Sequence, residues 1–183
     1  MGHIDETKLN QLFFEIQSGN QTSFSEFYQL TKSLIYYTVL PIIKDSGLAE
    51  DLLQEVYIKL IENSEKKKAQ GSMIAYIITI ARHLAINDYK RRQKEALYDR
   101  QIMEASIGQK ESIILDESPV IQKMYQLLNE TDIEIVTQHV LNDLTFKDIS
   151  TALKMPLGTV LWRYNQAIKK LQKGVASNEK NWW

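Results

Sequence analysis

Two short stretches of this 183-residue sequence carry side chains that could grip an anionic polymer. Between residues 73 and 93, Thr79, Arg82, His83, Asn87, Lys90 and Arg91 recur at three- and four-residue steps. That spacing lines side chains along one side of a helix. Between residues 158 and 173, Thr159, Trp162, Arg163, Gln166, Lys169 and Lys170 repeat the pattern. Guanidinium, ammonium and amide groups in such a row suit phosphate oxygens and base edges. Covalent chemistry has no comparable candidate. His3, His83 and His139 are scattered, without metal-ligand spacing, and there is no cysteine to act as nucleophile or ligand. Glu50, Asp51 and Glu55 cluster, but no second group of acids or bases stands opposite them in the pattern, and Glu55 with Lys59 makes an ordinary i,i+4 pair. No Gly-rich phosphate loop occurs. The expectation is a protein without catalytic residues, metal or cofactor.

Composition agrees with a binding protein built from helices. The apolar fraction of 44% and charged fraction of 25% are those of a soluble globular chain, and 3 Pro and 7 Gly are too few for a turn-rich β fold. The net charge of −1 conceals an uneven distribution. Residues 1–81 sum to −3, residues 82–94 to +4, residues 95–135 to −6 and residues 136–183 to +4. The two basic blocks coincide with the two polar stripes, as two separate electrostatic footprints would. The longest near-continuous apolar run, Ile74 to Ala81, is too short to span a bilayer, and the N-terminus lacks signal-peptide features. A cytoplasmic protein without membrane insertion is expected.

The elements that must position these side chains can be read from apolar periodicity. Leu9, Leu12, Phe13 and Ile16 mark a first helix, stopped by Gly19-Asn20. A second, capped by Thr22 or Ser23, is expected to end at Leu40 before Pro41. A third runs from about Leu48 to Asn63, and a loop follows through Lys66, Lys67 and Lys68 to Ser72. The fourth helix, about Met73 to Gln93, turns Ile74, Ile77, Ile78, Ala81, Leu84 and Ala85 to a core and the first polar stripe away from it. Residues 94–119 are acidic and read as a linker. Beyond it come helices over Val120–Leu128, Asp132–Leu141 and Thr145–Leu153, the last opening on a Thr145/Asp148 capping box. A break at Lys154-Met155-Pro156 precedes a final helix from about Gly158 to Lys173. Two short helices around a tight turn, the second polar and basic from its first turn, describe a helix-turn-helix.

The same residues carry a family resemblance. Ala49-Glu50-Asp51-Leu52-Leu53-Gln54-Glu55-Val56-Tyr57 resembles the AEDLxQExF signature of extracytoplasmic-function (ECF) sigma factors. Ser72-Met73-Ile74-Ala75-Tyr76-Ile77 through Ile80-Ala81-Arg82-His83-Leu84-Ala85-Ile86-Asn87-Asp88-Tyr89-Lys90-Arg91-Arg92 is similar to that family's SFRxWLxxIARNLxxDxxRR. Leu144 to Ser150, Met155 to Val160, Arg163 and Ala167 to Leu171 resemble its LSYEEIAxxLGIxxGTVKSRLxRAxxxL. The segments follow the family's order, with a linker between.

The resemblance implies an all-α chain of two small helical domains joined by the acidic linker: residues 1–93 as sigma domain two, 94–119 as linker, 120–175 as sigma domain four and 176–183 as a tail. It implies that Asp51, Gln54 and Glu55 bind core RNA polymerase. Lys66, Lys67, Lys68 and Ser72 would take the displaced −10 strand, with Arg82, His83, Asn87, Lys90 and Arg91 along the adjacent DNA. Thr159, Leu161, Trp162, Arg163, Gln166, Lys169 and Lys170 would read the −35 element. Promoter DNA and core polymerase are the implied partners, and an anti-sigma factor is a frequent one in the family. Departures are local. Tyr76 stands where the family usually has Trp, Met73 for Phe, His83 for Asn, and Leu161-Trp162 for Lys-Ser, while the Trp182-Trp183 tail has no counterpart. A stand-alone helix-turn-helix regulator, or a sigma-like adaptor that binds polymerase without reading a promoter, remain the alternatives at this point.

Overall fold

The computed structural model of the chain describes residues 5–63, 72–102 and 119–179. In order these form α1 (Glu6–Gln17), α2 (Gln21–Ile43), α3 (Ser46–Glu62), α4 (Met73–Ile102), α5 (Pro119–Leu127), α6 (Glu130–Val140), α7 (Phe146–Leu153) and α8 (Leu157–Glu179), with no strand among the described residues. The all-α reading therefore holds. The expected loop residues Lys66, Lys67 and Lys68, most of the linker and the Trp182-Trp183 tail lie outside the described residues.

Local chemistry explains where the helices start and stop. Asp5 caps α1 by accepting from the amide of Thr7 at 2.9 Å. Gly19, at φ +88°, supplies the left-handed step that lets the chain turn into α2. Asn20 then caps α2, in place of the expected Thr22 or Ser23, accepting from the Thr22 amide at 3.1 Å. Pro41 does not end α2 as expected; the helix continues to Ile43, because burial of Leu40, Pro41 and Ile42 outweighs one missing amide hydrogen bond. Lys44 closes it in the left-handed conformation. Asp45 caps α3, accepting from the Leu48 amide at 2.9 Å. α4 extends to Ile102, beyond its expected end at Gln93. The Thr145/Asp148 capping box is present, and Lys154 makes the left-handed turn between α7 and α8 where the break was predicted.

The larger core gathers Leu9, Phe27, Leu34, Ile35, Leu60, Met73, Ile74, Ile77 and Ile78 from α1 to α4. Tyr57 of α3 sits in an aromatic cluster with Phe24, Phe27 and Tyr28 of α2. Its hydroxyl lies 2.9 Å from Thr31 Oγ1 and donates to the Tyr28 carbonyl at 3.3 Å. A smaller core joins Met124, Leu128, Ile133, Val136 and Ala167 of α5, α6 and α8. At Gly174 a Cβ would meet Leu127 Cδ1 of α5, so admitting one would require the Leu127 side chain to shift.

The linear pattern gives no hint that the two groups of helices touch. α6 packs against α2 as well as α8, and α7 packs against α4. Ile135, Leu144, Ile149, Ala152 and Val160 accordingly belong to the larger core rather than the smaller. Seven consecutive residues of α6, Asp132 to Gln138, are buried.

Candidate nucleic-acid interface

Three surfaces hold the residues singled out by sequence, on three different helices. On α3, Asp51, Gln54 and Glu55 are all exposed, while Leu52, Leu53 and Val56 beside them enter the core. Beside this acidic strip lies a groove of about 490 Å³ between α2 and α3, lined among others by Tyr28, Lys32, Tyr36, Tyr37, Leu53 and Gln54. Sequence reasoning missed its aromatic wall. The signal was there: Tyr28, Lys32 and Tyr36 stand at i, i+4 and i+8.

The start of α4 is held by a carboxylate from α1. Glu6 accepts from the Met73 amide and from Ser72 Oγ, the latter at 3.1 Å. The Ser72 hydroxyl in turn accepts from the Ala75 amide at 3.0 Å, so Ser72 caps α4. Tyr76, at the position usually held by Trp in the motif, fills the wall beside it and donates to the Asn63 carbonyl at 3.1 Å; burial raises its phenol pKa. α3 and α4 are thereby tied together across the segment that separates them.

Along α4 the predicted stripe divides. His83, Asn87, Lys90 and Arg91 are exposed. Asp88, buried at the helix's edge, holds the guanidinium of Arg91 and, at 2.5 Å, that of Arg92. Two exposed arginines are thus fixed by one carboxylate, and Arg92 joins the basic surface although the sequence reading did not include it. Thr79 instead donates back to the Ala75 carbonyl at 2.7 Å. Arg82 turns the other way and pairs with Glu134 of α6. Its side chain is 30% exposed, against 2% for Glu134.

α8 divides similarly. Trp162 is 62% exposed, and Lys169 and Lys170 are exposed with it, while Thr159 and Gln166 are half-buried. Arg163 is drawn inward, donating to Asp132 of α6 at 2.7 Å. Leu161 lies on another flank, where it forms an exposed apolar pair with Leu157 one turn earlier. The helix is braced from below by His139, stacked on Phe146 with ring centroids 4.1 Å apart and edge-on to Tyr164 at 5.0 Å.

Among the described residues no group of three or more His, Asp or Glu could hold a metal ion. No described helix is long and apolar enough to cross a membrane. What the arrangement can do is bind: an acidic and aromatic surface on α2 and α3, a basic strip on α4, and a basic, aromatic helix-turn-helix face on α8.

Comparison with known proteins gives the following. Residues 27–95 match the family model of sigma-70 region 2. The chain is 25% identical over 171 residues to the ECF RNA polymerase sigma factor SigK of Mycobacterium tuberculosis, covering 90% of this chain and 91% of that one. It is 23% identical to SigK of Mycobacterium ulcerans with the same coverage. Among solved structures, the fold matches CnrH in its complex with the cytosolic domain of CnrY, with a TM-score of 0.66, 12% identity and 93% and 98% of the two chains covered. It also matches the sigma factor RpoE of Bartonella quintana, in complex with the anti-sigma factor NepR, at a TM-score of 0.61, 16% identity, and coverage of 84% and 96%.

Proposed function

We propose that the chain is an RNA polymerase sigma factor of the ECF type, a reading supported by its sigma-70 region 2 match over residues 27–95 and its likeness to ECF sigma factors, with the following division of labour among its surfaces. The acidic strip Asp51, Gln54 and Glu55, with the aromatic groove beside it, docks on core RNA polymerase. Carboxylates on a rigid helix suit a basic partner surface, and the half-buried tyrosines of the groove supply contact area that charges alone do not. The exposed strip His83, Asn87, Lys90 and Arg91 of α4, extended by Arg92, follows promoter DNA at the −10 element. Lys66, Lys67, Lys68 and Ser72 attend the displaced strand, and Arg82 joins this set once its carboxylate partner is released. The α8 face of Thr159, Trp162, Gln166, Lys169 and Lys170 enters the −35 major groove, with Arg163 at its edge and Leu161 placed for apolar contact such as a thymine methyl.

The domain assignment follows the same reading: residues 1–93 for polymerase and the −10 element, 120–175 for the −35 element. The chain performs no catalysis of its own, and it works in the cytoplasm with the polymerase it recruits. The solved relatives were captured with CnrY and with the anti-sigma factor NepR; a protein inhibitor of that kind is the third partner proposed for this chain. The observation that carries the proposal is the co-existence on one chain of an exposed acidic α3 strip and two separate basic, polar helix faces. A stand-alone DNA-binding regulator would use only the latter.

The test is run-off transcription on sheared genomic DNA by core polymerase of the source organism, with and without the chain, followed by sequencing of 5′ ends. New start sites sharing a two-block upstream motif are expected. Active core polymerase that acquires no new start sites would refute the assignment.

A further inference from the structure

The outer face of α8 holds a side chain that the sequence reading passed over. Asn165 is exposed. It stands four residues after Leu161 and three after Trp162, so on the helix surface it lies one turn beyond both and between them. Leu161 and Trp162 are themselves exposed. One turn before the pair, a Cβ on Gly158 would meet nothing within 4 Å, so the start of the helix is open to close approach. One turn beyond Asn165 comes exposed Lys169. The polar neighbours are turned away: Arg163 donates to Asp132, and Thr159 and Gln166 are half-buried. Asn165 is thus the exposed amide in the opening turns of α8.

Charge selects the partner of this face. Between Leu157 and Gly174 there is no Asp or Glu, whereas Lys169, Lys170 and Lys173 are exposed. Such a surface suits a polyanion. Base edges are met by the first turns of a recognition helix, and phosphates by cations around them. Lys169 lies about 10 Å farther along the axis than Trp162. The lysines therefore fall to the backbone, and Leu161, Trp162 and Asn165 to the bases. The chemistry of those three is narrow. An Asn amide matches adenine, donating to N7 and accepting from the N6 amino group, whereas guanine presents an acceptor, O6, where Asn165 Oδ1 requires a donor. Leu and Trp offer apolar surface, which fits the thymine C5-methyl. Guanine is met best by Arg or Lys, and the arginine in these turns, Arg163, is taken by Asp132.

We propose that Asn165 is a specificity-determining residue that reads an adenine in the −35 element, with Leu161 and Trp162 covering the methyls of neighbouring thymines, so that the element is built from A·T pairs and requires no guanine. The proposal rests on the sigma-factor reading for where the duplex lies, and goes beyond it in naming the reader and the base. It also gives the departure at Leu161-Trp162 a use. Exchanging the motif's Lys-Ser for Leu-Trp removes a cation and a hydroxyl from beside Asn165 and sets apolar surface on both sides of its amide.

The test uses core polymerase with the full chain on a promoter recovered by run-off transcription, its −35 block varied one base pair at a time. At one A·T pair, exchange for G·C should lower transcription by the wild-type chain about tenfold or more. Asn165→Ala should abolish that preference at that pair alone. Uracil in place of thymine removes only the methyl; it should cost the wild-type chain about fourfold per contacted thymine, and a Leu161→Ala/Trp162→Ala chain nothing further. A block with an indispensable G·C pair would overturn the proposal. So would an Asn165→Ala chain that loses activity equally on every −35 sequence, which would assign the face to a protein partner. If core polymerase gains no start sites with the wild-type chain, the sigma-factor reading fails, and selection by the full chain from a random duplex pool decides the base preference. Adenine-containing A·T sites whose enrichment is lost with Asn165→Ala would then support the assignment of Asn165; any other result, no enrichment included, would overturn it.

Discussion

Arg163 Nη1 lies 2.7 Å from Asp132 Oδ1, fastening α8 to α6 through a carboxylate that is itself buried. Asp132 also accepts from Asn129 Nδ2 at 2.9 Å, so the pair is part of the cap that begins α6. Replacing Asp132 with Ala would leave the guanidinium without its acceptor, and Arg163 Nε already lacks one. The expected loss is about 2 kcal/mol of stability, measured by urea unfolding of the full chain, with weaker discrimination at the −35 element in transcription assays.

The acidic strip on α3 behaves differently because it is exposed. Asp51→Lys with Glu55→Lys should change unfolding free energy by no more than about 0.5 kcal/mol. Binding to core polymerase should fall at least tenfold in a titration of labelled chain. Retained core binding would remove α3 from the polymerase interface.

A buried hydroxyl links α2 to α3. Tyr57→Phe removes the group that meets Thr31 Oγ1 and the Tyr28 carbonyl. Burial raises the pKa of this phenol, so it stays neutral across the accessible pH range. A loss of about 1 kcal/mol, with the aromatic packing intact, is expected from denaturant unfolding.

Salt dependence tests the α4 strip. If Arg91 meets a phosphate in the polymerase–promoter complex, Arg91→Ala should lower the slope of log binding constant against log salt by about 0.7 to 0.9. An unchanged slope would assign Arg91 to the surface pair with Asp88 and nothing more.

Stability should depend on pH through Glu134. Burial pushes its carboxyl up from 4.5 to about 7, with Arg82 of α4 pulling it back. In the unfolded chain the group returns to the ordinary carboxylate range, so the folded form binds the proton more tightly. This contribution is full below about 4.5, falls as pH rises and levels off above about 7. The unfolding free energy in urea should therefore fall between about pH 5 and about pH 7, and Glu134→Gln should flatten that trend.

How much of this was legible beforehand depended on the range of the interactions involved. The Thr145/Asp148 cap, the Lys154 turn and the α8 face are set by residues within a few positions of one another, and the pattern exposed them. The end of α2 was misread because a proline rule is local while the burial of Leu40 and Ile42 is not. Glu134 and Gln138 were invisible for the same reason. Polar side chains read as solvent-facing, and their partners Arg82, Thr38 and Leu34 lie 52 to 104 positions away. The division of the two stripes followed from that: Arg82 and Arg163 sit in rows that look uniform in sequence, but each is turned aside by a carboxylate on α6.

The two-sided burial of α6 also bears on the exchange of segments between chains of this fold. Ile133 and Val136 answer to α5 and α8, whereas Glu134, Ile135 and Gln138 answer to α2 and α4. A chimera that grafts foreign helices from α5 onward would inherit one set of partners and lose the other. It would set a carboxylate against a position with no arginine, or an amide against a helix with no threonine. Transplanting the C-terminal helices would then require the donor's residues at positions 38 and 82 to travel with its α6, or α6 to remain behind with the host.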